Sequence, residues 1–164
     1  MKRILSLIGV VLVVGCGGPE PPDGPYETYY SNGQLETKVT YKDGERDGPF
    51  ESYFNNGQLG GKRTYKDGVL DGPFEKYHDN GQLMVKGTYK DGELDGPYEL
   101  YYDNGQLGGK RTYKGRSPLG SPQLDGPFER SHENGQLRTK GTYKDDEECG
   151  EWLEEGETVT YDPC

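Results

Sequence analysis

A unit of 24 residues is repeated along most of this chain, and it limits the possible folds more than any other feature of the sequence. The tetrapeptide NGQL begins at Asn32, Asn56, Asn80, Asn104 and Asn134. The tripeptide DGP begins at Asp23, Asp47, Asp71, Asp95 and Asp125. The spacing is 24 residues three times and then 30. Such a period predicts one supersecondary unit per repeat, with each unit packed on its neighbours in an elongated array.

Each NGQL is flanked by alternating residue types, which is the pattern of a β-hairpin with a two-residue turn. If Asn32 and Gly33 form a type I′ turn, both need a positive φ and Tyr30 faces Leu35. The same register pairs Glu27 with Lys38, Tyr26 with Val39 and Gly24 with Tyr41. One face of the hairpin then carries aromatic and apolar side chains, and the other carries charged ones.

The same arithmetic places a glutamate opposite a lysine in every later unit. The predicted pairs are Glu51 with Lys62, Glu75 with Lys86, Glu99 with Lys110, and Glu129 with Lys140. Exposed ion pairs of this kind contribute roughly 0.2–1 kcal/mol each, so their predicted role is to hold the register. The alternative, catalytic carboxylates, is disfavoured because each glutamate has a lysine neighbour and no partner carboxylate.

A second turn in each unit joins one hairpin to the next, as at Asp43 and Gly44. Pairing across this turn sets Thr37 opposite Phe50 and keeps the aromatic side chains on one face. The sequence therefore predicts an all-β protein, an elongated single-layer antiparallel meander that is either flat or curled. Residues 115–124 add six residues to the fourth unit, and their Ser, Pro and Gly content predicts a surface loop.

Residues 149–164 are a shortened last unit that we expect to form a C-terminal capping hairpin. A turn near the middle of this segment sets Trp152 opposite Val159. Cys149 and Cys164 then lie two positions out of direct register, so a disulfide between them is plausible in an oxidising compartment.

The first 15 residues have the order of a secretory signal. Lys2 and Arg3 supply the positive charge, and residues 4–14 supply an apolar run that is too short to span a bilayer, which needs about 20 residues. Their removal with the signal would change the net charge of the chain from −10 to −12, because both cations are lost. So acidic a surface makes nucleic acid an unfavourable partner.

The signal ends in a sequence that resembles the lipobox of bacterial lipoproteins, and the resemblance makes Cys16 the lipidated residue. Residues 16–22 would then be a linker. Ordinary cleavage, with Cys16 left as a free thiol, is the alternative. Gly17 stands where an inner-membrane retention signal would have Asp, which favours the outer membrane or the cell surface. We therefore expect an exported protein of the cell envelope that is held to the membrane by its N-terminal lipid.

The repeat pattern of glycine, an aromatic residue, paired tyrosines, NG, leucine, tyrosine and a closing glycine resembles the bacterial variant of the MORN repeat. The resemblance covers about residues 23–161, with five repeats in residues 23–148. Members of this family are often catalogued as antitoxins, and MORN arrays are elongated single-layer sheets in protein contacts, scaffolds and membrane association. An exported lipoprotein cannot readily neutralise a cytoplasmic toxin, so the label would here mean immunity to an envelope toxin.

No group of residues in the sequence indicates catalysis, a cofactor or a metal site, and we expect the protein not to be an enzyme. His78 and His132 occupy the repeat position of Tyr30 and Phe54, which predicts a structural role on the sheet face. Turns such as residues 43–48 concentrate carboxylates but lack the ligand spacing of a calcium-binding loop.

One stripe of aromatic and apolar residues is the candidate binding face. It comprises Phe50, Phe54, Leu59, Tyr65, Phe74, Leu83, Tyr89, Tyr98 and Tyr102. The alternative is that the stripe is the thin core of the sheet. A protein partner on this face predicts a scaffold module, whereas aromatic hairpins of this composition also resemble repeats that bind cell-wall glycan or peptidoglycan. A homodimer that buries two such faces against each other is a further possibility.

Overall fold

The computed structural model describes residues 21, 23–117 and 120–164, and these residues form fourteen β-strands and no helix. The strands are β1 (Gly24–Tyr29), β2 (Leu35–Lys42), β3 (Glu45–Tyr53), β4 (Leu59–Lys66), β5 (Val69–Leu70), β6 (Gly72–Tyr77), β7 (Leu83–Lys90), β8 (Glu93–Tyr101), β9 (Leu107–Arg116), β10 (Pro122–Leu124), β11 (Gly126–Ser131), β12 (Leu137–Lys144), β13 (Glu147–Glu154) and β14 (Glu157–Thr160).

All fourteen strands belong to one open antiparallel sheet, which confirms the predicted all-β meander. Twelve strands follow one another across the sheet in chain order. The two short strands β5 and β10 pair with β4 and β9 and continue, after one residue, into β6 and β11. With neighbouring strands about 4.8 Å apart, the sheet extends for roughly 50 Å.

The hairpin tips differ from the predicted two-residue turn. Gly33 donates its N–H to the carbonyl of Tyr30 at 2.9 Å, and Tyr30 donates to the carbonyl of Gln34 at 2.8 Å. The loop therefore has three residues, and only Gly33, at φ 84°, has a positive φ. The predicted type I′ turn at Asn32 and Gly33 is wrong, because a type I turn followed by a left-handed glycine avoids placing asparagine in that region.

This loop shifts the pairing next to the tip by one residue. Tyr29, rather than Tyr30, faces Leu35, and a bulge at Glu36 restores the predicted register from Thr28 and Thr37 onward. The other four repeats have the same irregularity. Because paired residues share a face, the leucine after each tip lies on the face of Tyr29.

In four of the five units, all but the fourth with its insertion, the second turn has the predicted two-residue geometry. Asp43 and Gly44 both have a positive φ, at 51° and 80°. The pairing then shifts by two residues, so that Phe50 faces Val39 and not Thr37. The predicted partner is thus wrong, but an even shift leaves the aromatic residues on one face.

The six-residue insertion lengthens a hairpin more than it forms a loop. Gly115 and Arg116 extend β9, and residues 122–124 form β10. Only residues 117–121 lie between the two strands, so the predicted loop of residues 115–124 is too long.

Strands β13 and β14 form the last hairpin, with Trp152 opposite Val159 as the sequence predicts. Glu155 and Gly156 make its turn, both with a positive φ. A disulfide joins Cys149 of β13 to Cys164, which follows β14.

Two faces of the sheet as candidate binding surfaces

The register sorts the strand residues into two faces. We call the side that carries Phe50 the aromatic face and the side that carries Glu51 the charged face. The central row of the aromatic face crosses the sheet through residues paired with one another or adjacent in register. It consists of Tyr26, Val39, Phe50, Arg63, Phe74, Gly87, Tyr98, Arg111, Phe128, Gly141, Trp152 and Val159.

Each hairpin places a ring of this row against a tyrosine of the following strand. The ring centroids of Phe50 and Tyr65 are 6.1 Å apart, and those of Phe74 and Tyr89 are 4.8 Å apart. Each tyrosine pairs with a glycine, as Tyr65 does with Gly48 at φ 105°, a conformation that disfavours other residues. Edge-to-face and tilted contacts between rings are thereby repeated along the array.

Glycines between two rings of the central row let those rings approach each other. A Cβ on Gly87 would lie 2.8 Å from the ring of Phe74, and a Cβ on Gly141 would lie 2.0 Å from the ring of Trp152. Trp152 is 2% exposed and packs against Phe128 with a centroid distance of 5.8 Å. The rings on either side of Gly87 and Gly141, in the third and fifth units, can therefore pack closely along the row.

Arginines cover the rings where glycine is absent. The guanidinium carbon of Arg63 lies 4.3 Å from the ring centroid of Phe50, and that of Arg46 lies 5.3 Å from the ring centroid of Tyr65. Arg46 also donates a 3.2 Å hydrogen bond to the hydroxyl of Tyr65. The guanidinium carbon of Arg111 is 5.8 Å from the ring of Phe128. These cation–π contacts shield a face over which the described residues place no second layer.

The predicted stripe divides into two parts on this face. Phe50, Tyr65 and Phe74 are only 7%, 8% and 6% exposed and belong to the thin core. The others, Phe54, Tyr89, Tyr98 and Tyr102, are half-buried and keep accessible surface.

Two residues of the stripe lie elsewhere. Leu59 pairs with Tyr53, and Leu83 pairs with Tyr77, so both belong to the charged face. Their predicted place beside Phe50 is wrong, because the bulge after each tip moves the leucine to the other side.

The charged face carries a row in which glutamate and lysine alternate across ten strands. The predicted pairs Glu51 with Lys62 and Glu99 with Lys110 are in register. Lys110 contacts Glu99 at 3.6 Å, but Lys62 lies 2.9 Å from Glu75 of the next hairpin rather than from Glu51. The lysines therefore also join neighbouring hairpins, as Lys86 does with Glu99 at 3.0 Å, which pairwise register within one hairpin did not predict.

Tyrosines extend this row toward the hairpin tips. Tyr53 donates a 2.7 Å hydrogen bond to Glu51, which raises the pKa of Tyr53 to about 12, with burial contributing less. Tyr77 donates likewise to Glu75. That hydrogen bond, and then the one from Lys62, holds the pKa of Glu75 below its ordinary value against the opposing effect of burial.

The column that contains the two histidines connects neighbouring hairpins on the aromatic face. Tyr30 donates its hydroxyl to the carbonyl of Tyr53 at 2.7 Å, and Tyr102 donates to the carbonyl of Ser131 at 2.8 Å. In the same position, Nε2 of His78 lies 3.1 Å from the carbonyl of Tyr101. A polar ring at four of the five equivalent repeat positions was the sequence signal for these bridges; the fifth position holds Phe54.

Two hollows open on the aromatic face at equivalent places in alternate units. One, of about 140 Å³, lies over Gly60 and Gly61, and the other, of about 260 Å³, lies over Gly108 and Gly109. Each is lined by an arginine and a phenylalanine of the central row and by a cation of the next strand. The glycines form the floor because the sequence LGGKRTYK occurs in the second and fourth units.

The described part of the chain contains no cluster of three His, Cys, Asp or Glu side chains that is suited to a metal ion. It also contains no helix that is long and apolar enough to cross a membrane. Cys16, proposed above as the lipidated residue, and the predicted signal lie outside the described residues.

Comparison with protein-family models finds five matches to the model described as MORN repeat variant, in residues 22–43, 46–67, 70–91, 94–114 and 124–145. Together they span more than half of the chain, and each covers one of the first five hairpins. The last hairpin, β13 with β14, lies beyond them. No curated protein matches the chain.

Proposed function

Because the chain belongs to the MORN repeat variant family, we propose that it is an exported, lipid-anchored binding module of the cell envelope that docks a protein partner on its aromatic face. Repeat sheets of this kind commonly serve as binding modules. The envelope location rests on the sequence of residues 1–16 and on the disulfide between Cys149 and Cys164, which suits an oxidising compartment.

The observation that carries the docking proposal is the aromatic face itself. In the described residues every strand belongs to one sheet, so no second layer covers Phe54, Tyr98 and Tyr102. Tyr98 lies on β8, and Phe54 and Tyr102 directly follow β3 and β8; partly exposed aromatic side chains are the residue type that protein interfaces favour. Their spacing over several repeats suits an extended partner surface.

Site-specific photo-crosslinking tests the proposal without disturbing the core. Benzoylphenylalanine replaces Phe54 or Tyr98 on the aromatic face and, as matched controls, Tyr53 or Tyr101 on the charged face. We expect one defined protein to be crosslinked in envelope extract from the aromatic face only. Crosslinking from the charged face alone, or recovery of no protein from either face, would contradict the proposal.

A second candidate, binding of cell-wall glycan, is favoured by one observation on the charged face. Tyr29, Tyr53, Tyr77 and Tyr101 recur at every second strand, about 10 Å apart, and each phenol is bonded to a glutamate. A ring fixed beside charged hydrogen-bonding groups is suited to stacking on a sugar. Ser131 ends the row in the fifth unit.

Sedimentation with purified peptidoglycan separates the two candidates. If the glycan candidate is correct, Tyr53→Ala with Tyr77→Ala abolishes co-sedimentation, whereas Phe54→Ala on the other face does not. If the protein candidate is correct, the chain stays in the supernatant whichever tyrosine is present.

A further inference from the structure

Charge is distributed unequally between the two faces of an acidic protein. The chain has a net charge of −10, yet no carboxylate of strands β3 to β11 lies on the aromatic face. The charged side chains on that stretch of the face are all cations, namely Arg46, Arg63, Lys76, Arg111 and Arg130. On the charged face, by contrast, lysines such as Lys62, Lys86 and Lys110 contact glutamates.

Four of these five cations line the two hollows. Arg63 and Lys76 line the first, and Arg111 and Arg130 line the second. Glu75 and Glu129 also line them, but their carboxylates are held on the charged face by Lys62 at 2.9 Å and by Lys140 at 3.0 Å. Each hollow therefore combines a glycine floor, a ring and two cations.

One donor in the first hollow has no acceptor. Nε of Arg63 is buried, and the described residues supply no hydrogen-bond partner for it. A buried donor without an acceptor is costly, and its cost is removed when a ligand provides one. The stacking of Arg63 on Phe50 holds the guanidinium in place for such a ligand.

We propose that the two hollows bind carboxylates of an extended acidic segment of the protein partner, which runs across the strands. Four strand spacings separate Arg63 on β4 from Arg111 on β9, which is about 19 Å. An extended peptide covers that distance in about six residues. This inference rests on the proposed docking function and specifies the chemistry of the partner.

A narrow segment fits the charges of the molecule better than an anionic membrane surface does. Acidic residues are exposed at both ends of the strands, that is, in the second turns on one side of the sheet and at the hairpin tips on the other. They include Asp43, Asp67, Asp91, Asp79, Asp103 and Glu133. A plane of anionic lipid would approach these acidic turns and tips and be repelled. An extended peptide that crosses the middle of the strands would contact the cations alone.

Fluorescence anisotropy tests the proposal with the full-length chain in nanodiscs of zwitterionic lipid. The probe is a fluorescein-labelled peptide with glutamate pairs about six residues apart, and its glutamine counterpart is the negative control. We expect Arg63→Gln and Arg111→Gln each to lower affinity roughly ten-fold, as for one lost charge-assisted hydrogen bond. The matched controls Lys86→Gln and Lys110→Gln lie on the charged face, line neither hollow and should leave affinity unchanged.

A second pair of variants guards against loss of folding at Arg63. Lys76 and Arg130 are exposed, so Lys76→Glu with Arg130→Glu should abolish binding while the melting curve stays unaltered. Equal binding of the glutamine peptide, or retention of affinity in this pair, would overturn the inference. Binding of anionic vesicles but not of the peptide would overturn it as well.

The photo-crosslinking experiment separates failure of this inference from failure of the proposed function. A partner captured through residue 54, together with no affinity for the acidic peptide, leaves the docking function intact and refutes the acidic segment. Absence of any protein partner refutes both.

Discussion

At each of the five Asn-Gly tips the positive φ falls on a single glycine. Gly57 has a φ of 85°, whereas Asn56 uses its side chain to accept a 2.9 Å hydrogen bond from the N–H of Gln58. The two residues of the Asn-Gly pair thus have separate roles, one conformational and one as a hydrogen-bond acceptor.

Substitutions at the second tip should separate these roles. We expect Gly57→Val to destabilise the protein by more than 1 kcal/mol, because a β-branched residue resists a positive φ. Asn56→Ala should cost about 1 kcal/mol or less, the worth of one exposed hydrogen bond. Thermal melts of both variants and of Gly81→Val provide the check; equal stability of Gly57→Val and the parent chain would refute the assigned loop.

Gly141 tests the packing of the last hairpin. Its φ is not positive, so alanine is compatible with the backbone, but the added Cβ would lie 2.0 Å from Trp152. We expect Gly141→Ala to lower the free energy of unfolding by about 1–3 kcal/mol through overpacking. Thr142→Ala, the next residue on the opposite face, is the control. A neutral Gly141→Ala would mean that Trp152 is not held over this glycine.

Strands and hairpins are joined through the charged face as well as through the backbone. Lys62 of one hairpin contacts Glu75 of the next, and the phenol of Tyr77 completes the contact. The glutamate, lysine and tyrosine of successive strands therefore form one hydrogen-bonded network that connects neighbouring hairpins.

This network predicts loss of stability at both extremes of pH. The folded pKa of Glu75 lies below its ordinary value of 4.5, so its contribution is complete above that value and is lost as the pH falls. The folded pKa of Tyr53 is raised from 10.0 to about 12, so its contribution is complete below 10.0 and is lost as the pH rises toward about 12.

Urea unfolding measured over pH is the test. Stability should be level between these two ranges, and Tyr53→Phe should reduce the alkaline loss without changing the acid one. A Tyr53→Phe variant with an unaltered alkaline limb would show that the phenol of Tyr53 makes no such contribution.

At the scale of the whole molecule, the described strands form an array in which each strand pairs through its backbone with its immediate neighbours. Stability in such arrays is approximately a sum over neighbours, and the ends open most readily. The two ends here differ. Strand β1 exposes Tyr26 and Tyr29, whereas a disulfide joins Cys149 within β13 to Cys164, which follows β14.

Hydrogen exchange should report this difference. We expect β1 to exchange faster than β13 in the oxidised protein. The double variant Cys149→Ser and Cys164→Ser should accelerate exchange in β13 and β14, with a local loss of up to about 3 kcal/mol. Strands β4 to β8 should be unaffected. Uniform acceleration through β4 to β8 would show that the sheet opens as one unit.

The 24-residue period and the alternation within it were sufficient to predict the meander, the face of Phe50 and the pairing of Glu27 with Lys38. These features depend on contacts between residues close in sequence, and on a side-chain period of two that even shifts do not disturb. Three features were not predictable in this way: the hairpin tips with one positive-φ glycine, the place of Leu59 on the charged face, and the ion pair of Lys62 with Glu75 rather than Glu51. Each depends on bulges and on competition among neighbouring strands.

The sequence by itself thus determined the all-β repeat architecture, its family and the chemistry available on each strand. Only the tertiary structure decided that Phe50 and Phe74 are core residues, and that Arg63 and Arg111 cover rings beside hollows. The physical reason is that burial and side-chain partners are properties of the assembled sheet. A phenylalanine at the same repeat position can be core or surface according to which neighbours the adjacent strands place against it.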